Sequence, residues 1–94
     1  MRLLEKEVNT LKTKLLELSS DAKLYLFGSR VDDSKYGGDI DLLIISKKLT
    51  KKDLRTIRID FFKKFGEQKL DILLDNGELK NPLTKQILKK AILL

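Results

Sequence analysis

The chain contains no cysteine and no histidine among its 94 residues. Without cysteine there is no disulfide framework and no thiolate metal site. Without histidine there is no Ser-His catalysis, no imidazole general base and no His-ligated zinc. Acid–base and metal chemistry must therefore fall to carboxylates and lysines. No apolar run approaches membrane-spanning length, and no signal-peptide core opens the chain, so a cytoplasmic protein is expected. Aromatic residues make up only 6% and are not interleaved with the basic ones as stacking platforms.

Apolar content of 41% and charged content of 36% fit a globular chain rather than a disordered one. The length predicts a single domain over residues 1–94. So short a chain buries only part of its surface, and a partner subunit is expected. The net charge of +6 is uneven: residues 1–46 carry 7 basic and 8 acidic side chains, residues 47–94 carry 13 and 6. The pairs Lys47-Lys48, Lys51-Lys52, Lys63-Lys64 and Lys89-Lys90 cause the imbalance. They read either as attraction for a polyanion such as RNA or a nucleotide, or as solvated helix faces, and the second is favoured.

Leu4, Val8, Leu11, Leu15 and Leu18 alternate spacings of four and three, predicting one apolar stripe on a helix of residues 2–18. Two heptads favour packing on the protein's own sheet over a partner-binding seam. Ser19-Ser20-Asp21 breaks that helix, and residues 22–27 form a strand. Residues 40–45 are apolar on both faces, as in a covered central strand. Thr50 caps a helix over 51–65, with Asp53 at its third position and Gly66 as its stop. Residues 70–74 form a third strand, and Asn76-Gly77 a turn. Asn81 and Pro82 start a last helix, with Leu83, Ile87 and Ala91 along it. With a short helix after the first strand, the order is helix, strand, short helix, strand, helix, strand, helix. It predicts an α/β (α+β) fold, a small mixed sheet flanked by helices.

The chemistry concentrates in residues 28–41, Gly-Ser-Arg-Val-Asp-Asp-Ser-Lys-Tyr-Gly-Gly-Asp-Ile-Asp. Asp39 and Asp41 share a face of the second strand by period-two geometry. Two carboxylates side by side repel and are costly to desolvate unless a cation sits between them, and an all-oxygen site suits Mg²⁺ or Mn²⁺. Gly28 and Ser29 fall at a strand end, where free backbone N–H groups favour phosphate. Arg30 reads either as a phosphate contact or as a partner of Asp32 or Asp33. Residues 32–38 read as a loop that orders over bound nucleotide. Tyr25 and Tyr36 read as core and surface residues rather than stacking platforms. Asp71, flanked by leucines in the third strand, is expensive without a cation or hydrogen-bond partners. If the second and third strands are neighbours, Asp39, Asp41 and Asp71 converge, and Asp71 is placed to accept a proton. Asp75 is the alternative third carboxylate.

Phe27-Gly28-Ser29-Arg30 followed by Gly38-Asp39-Ile40-Asp41-Leu42-Leu43 resembles the signature of the minimal nucleotidyltransferases, in the DNA polymerase beta-like nucleotidyltransferase superfamily. The resemblance extends over most of the chain, to Asp71 and to Leu79-Lys80-Asn81-Pro82-Leu83. Nine residues separate Ser29 from Asp39, one fewer than the common family pattern, a small change for a loop. The chain also stops at Leu94, where many relatives add a short terminal segment. The resemblance implies that Gly28 and Ser29 bind the triphosphate, that Asp39 and Asp41 hold two Mg²⁺ ions, and that Asp71 completes the site and helps activate the acceptor hydroxyl. It further implies AMP transfer from ATP with release of pyrophosphate. Small prokaryotic members commonly pair with a helical HEPN-domain toxin, act as antitoxins, and adenylylate a tyrosine of it. The expected function is thus a toxin-modifying nucleotidyltransferase in a hetero-oligomer. The alternatives are an antitoxin that works by occlusion alone and, less favoured, a basic RNA-binding domain.

Overall fold

A computed structural model describes residues 3–28 and 39–94. Its elements are α1 (Glu5–Leu18), β1 (Lys23–Phe27), β2 (Ile40–Ile45), α2 (Lys51–Phe65), β3 (Leu70–Asp75), α3 (Pro82–Leu88) and β4 (Ile92–Leu93). The short helix expected after β1, together with Ser29, Arg30, Asp32, Asp33 and Tyr36, lies outside the described residues. No helix among the described residues is long and apolar enough to cross a membrane.

The four strands form one mixed sheet in the order β3-β2-β1-β4. β1 runs antiparallel to both β2 and β4, while β2 and β3 are parallel. A parallel neighbour needs a crossover, and α2 supplies it. Strand alternation then sorts the side chains. Leu24, Leu26, Ile40, Leu42, Ile44 and Leu70 join Leu11 and Leu15 of α1 and Leu54, Ile57 and Phe61 of α2 in one core. Tyr25, Asp41, Leu43, Asp71 and Leu73 take the other parity and the other face. Leu43, between Tyr25 and Leu73 across the strands, is nonetheless fully buried.

The α1 stripe holds from Val8 to Leu18 but not at its start. Leu4 is 67% exposed and serves as the N-cap, while Leu3 turns into the core. Leu4 offers no side-chain acceptor, so the Glu7 carboxylate takes the Leu4 N–H at 3.0 Å, closing the helix start from within. In α2, Asp53 accepts from the Thr50 N–H at 2.8 Å and from its hydroxyl at 3.2 Å. Gly66 stops α2 at φ +82°, its N–H on the Phe62 carbonyl at 2.9 Å. Phe61 is fully buried and stacks obliquely on Phe65, ring centroids 4.9 Å apart.

The C-terminus departs from expectation. The last helix does not reach Ala91 but ends at Leu88, and Ile92–Leu93 forms a strand. These residues pair with Leu26 and Tyr25, and the Leu94 N–H reaches the Leu24 carbonyl at 2.9 Å. The gain is tertiary: the segment satisfies backbone groups along an edge of β1 that would otherwise need water.

Candidate active site

β2 and β3 begin at the same end of the sheet because they are parallel. Their register places Asp41 beside Asp71. One pair earlier on the same face, Asp39 meets Lys69, whose Nζ lies 3.2 Å from Asp39 Oδ2. The Ile40 N–H donates to the Lys69 carbonyl at 3.1 Å and holds the two strand starts together. From α2, Arg58 donates through Nε and one terminal nitrogen to the Leu70 carbonyl, both at 3.3 Å, fixing the start of β3 beneath this grid.

β1 runs the opposite way and therefore ends where β2 begins. Phe27 pairs with Asp41, which brings Gly28 to the carboxylates. Gly28 has φ +79°, and a Cβ there would collide with the Asp41 carboxylate. Both facts favour glycine: the first is the left-handed region, and the second means that a methyl group would have to displace the Asp41 carboxylate.

The grid carries three negative charges and one positive. Asp41 has its pKa pushed up, first by partial burial, then by the charges of Asp71 and Asp39, with Lys69 opposing. Lys69 is held above its ordinary value, first by its hydrogen bond to Asp39 and then by the carboxylate charges around it. The donor set is hard oxygen, which fits Mg²⁺ or Mn²⁺. The excess negative charge fits a cation as well. With Asp39 turned to Lys69, however, no three carboxylates among the described residues gather round one point.

Of the two candidates for a third carboxylate, only Asp71 stands beside Asp41. Asp75 pairs with Ile45 at the opposite end, about 13 Å along the strand. Its Oδ1 accepts from the Gly77 N–H at 2.7 Å and the Leu79 N–H at 3.4 Å, so it organises the turn after β3. Ser29 and Arg30 fall outside the described residues. Lys69 and Arg58 were not singled out from the sequence. Lys69 had a usable signal, standing two residues before Asp71 and so on its face. Arg58 had none, since its partner is a backbone carbonyl.

Clefts and charge point to different ends of the sheet. A cleft of about 400 Å³ is lined by Lys23, Tyr25, Ile45, Lys47, Gly77 and Leu88 among others, at the end away from Asp41. It holds no cluster of carboxylates. Carboxylate register and the turn at Gly28, rather than cavity size, make the starts of β2 and β3 the candidate site.

The described residues thus bring a positive-φ glycine at the end of β1 beside the paired strand carboxylates of β2 and β3. Residues 8–94 match the family model for the nucleotidyltransferase domain, and the chain belongs to that family. The α/β architecture, three helices with a four-stranded mixed sheet, agrees with the polymerase beta-like nucleotidyltransferase fold. Its general activity is nucleotidyl transfer, with a nucleoside triphosphate as donor. A search of curated proteins finds no match.

Proposed function

We propose that this protein transfers AMP from ATP to a tyrosine hydroxyl of a partner HEPN-domain toxin, and thereby acts as its antitoxin. The observation that carries the catalytic part is the register placing Asp41 beside Asp71 on the face that also bears Asp39, at the end of β1 where Gly28 turns. Asp39, Asp41 and Asp71 would hold two Mg²⁺ ions. Bound there, the metal would supply activation of the attacking oxygen and neutralisation of the departing pyrophosphate.

The chain's own residues do the rest. Gly28 leaves the backbone bare for approach of the triphosphate, and Ser29 and Arg30 follow it as phosphate contacts. The acceptor oxygen bonds to the α-phosphorus while the bond from the α-phosphorus to the bridging oxygen breaks. Pyrophosphate leaves with that electron pair. Asp71, the most exposed of the three carboxylates, takes the hydroxyl proton. The resemblance of the two motifs to minimal nucleotidyltransferases supports ATP as donor, the toxin as acceptor and the hetero-oligomer. Cytoplasmic action follows from the same reading.

The purified pair, incubated with ATP and Mg²⁺, should gain mass on the toxin in steps of one AMP. Asp39→Asn and Asp41→Asn should abolish the gain while still binding the toxin. A second reading has one observation in its favour: Asp39 is already neutralised by Lys69. Under it the protein is a non-catalytic module that occludes its toxin. Stoichiometric neutralisation without AMP on the toxin would establish that reading and dismiss the first.

A further inference from the structure

Lys69 stands where a cation is needed. Its ammonium pairs with Asp39 at 3.2 Å, and the charges of Asp71 and Asp41 act on it from the adjacent row. The parallel register places it there, because Lys69 precedes Asp71 by the same two residues that separate Asp39 from Asp41. Its side chain remains 70% exposed and that of Asp39 39% exposed, so the pair can open without breaking the core. Among the described residues, only Asp39 is taken up in this way. Asp41 and Asp71 have no ion-pair partner among the described residues, which leave two of the three carboxylates of the grid without a paired cation.

We propose that Lys69 is a resident counter-cation that competes with divalent metal for Asp39. In the metal-free protein it offsets part of the carboxylate repulsion and holds one oxygen of Asp39 in its ion pair. Metal binding requires that this pair open, so Lys69 lowers the affinity of the empty site for metal alone. It acts as a positioning residue, setting where Asp39 points. The proposal rests on the assignment of Asp39, Asp41 and Asp71 as metal ligands.

The test is binding of Mn²⁺ alone, without nucleotide, followed by the electron paramagnetic resonance signal of the free ion at low salt. An exposed ion pair of this kind is weak and screened by salt. Lys69→Gln should therefore tighten Mn²⁺ binding by up to about fivefold. Raised salt should shrink that difference. Lys69→Arg, which keeps the charge, should stay near the parent affinity. Lys80→Gln is the control: it removes an equal charge beyond the far end of β3, where Lys80 pairs with Glu78 at 3.1 Å. Equal affinity in the parent and Lys69→Gln, or equal tightening in Lys80→Gln, overturns the proposal while leaving the metal site standing. Mn²⁺ binding that is indifferent to Asp39→Asn and Asp41→Asn, or absent from every variant even with ATP, overturns the metal assignment and the proposal together.

Discussion

Asp41 bears the strain of this site more than any other residue. It is partly buried, faces two like charges and lies against Gly28. A carboxyl whose folded pKa is raised binds more protons in the folded state than in the unfolded one. It therefore costs stability as pH rises from its ordinary value of 3.8 through the folded pKa, and the cost is full at neutral pH. Asp41→Asn should accordingly stabilise the metal-free protein at pH 7, by under about 1 kcal/mol given solvent screening. The gain should vanish below the ordinary carboxylate pKa. Thermal unfolding with a chelator present at both pH values measures it, and destabilisation at pH 7 would refute the electrostatic account. Gly28→Ala should act in the opposite sense. Left-handed backbone costs a non-glycine residue roughly 1–2 kcal/mol, and the added methyl must push the Asp41 carboxylate aside. Stability should fall by at least that amount and nucleotide transfer should be lost; an active, undestabilised Gly28→Ala protein would dismiss the cradle.

At the level of elements, helix ends and one aromatic position decide most of the stability. Asn81 accepts the Leu83 N–H at 2.9 Å ahead of Pro82. Asn81→Ala should cost about 1 kcal/mol, the ordinary value of an N-cap. Phe61→Ala should cost about 3–5 kcal/mol, because a fully buried ring leaves a cavity between α2, α1 and the sheet. Chemical denaturation of the two variants should therefore rank Phe61 well above Asn81. The reverse order would mean that α2 is not the main lid of the core. α2 has a second duty, since Arg58 ties it to the Leu70 carbonyl. The helix that covers the sheet is thereby tied to the start of β3, one residue before Asp71.

At the scale of the whole molecule, a chain of 94 residues has little stability in reserve. A partner that binds only the folded state adds to it by mass action, about 2.7 kcal/mol at a hundredfold excess over Kd. If the proposed pairing with a HEPN-domain toxin holds, that partner should raise Tm by on the order of 10 °C for a domain of this size. A thermal shift with and without the partner reads this directly, and an unmoved Tm would count against a stable complex. The lysine pairs of residues 47–94 are exposed throughout. That agrees with solvated helix faces.

The sequence by itself determined most of the described elements and the residue types available for chemistry. Period-two and period-3.6 patterns are written in local order, so β2, α2 and the Asp-x-Asp face were readable from it. So was the exclusion of imidazole and thiolate chemistry, which needs only composition. Other features were decided by the tertiary structure. Asp71 and Asp75 look alike in sequence, both on one strand face. Only the parallel pairing of β2 with β3 puts Asp71 beside Asp41 and sends Asp75 to a turn. Ile92–Leu93 follows directly on the stretch read as the last helix and becomes a strand because β1 offers it an edge. Lys69 is one lysine among many until the register sets it against Asp39. Each of these outcomes depends on which strands become neighbours, a contact between residues far apart in the chain that no local pattern records.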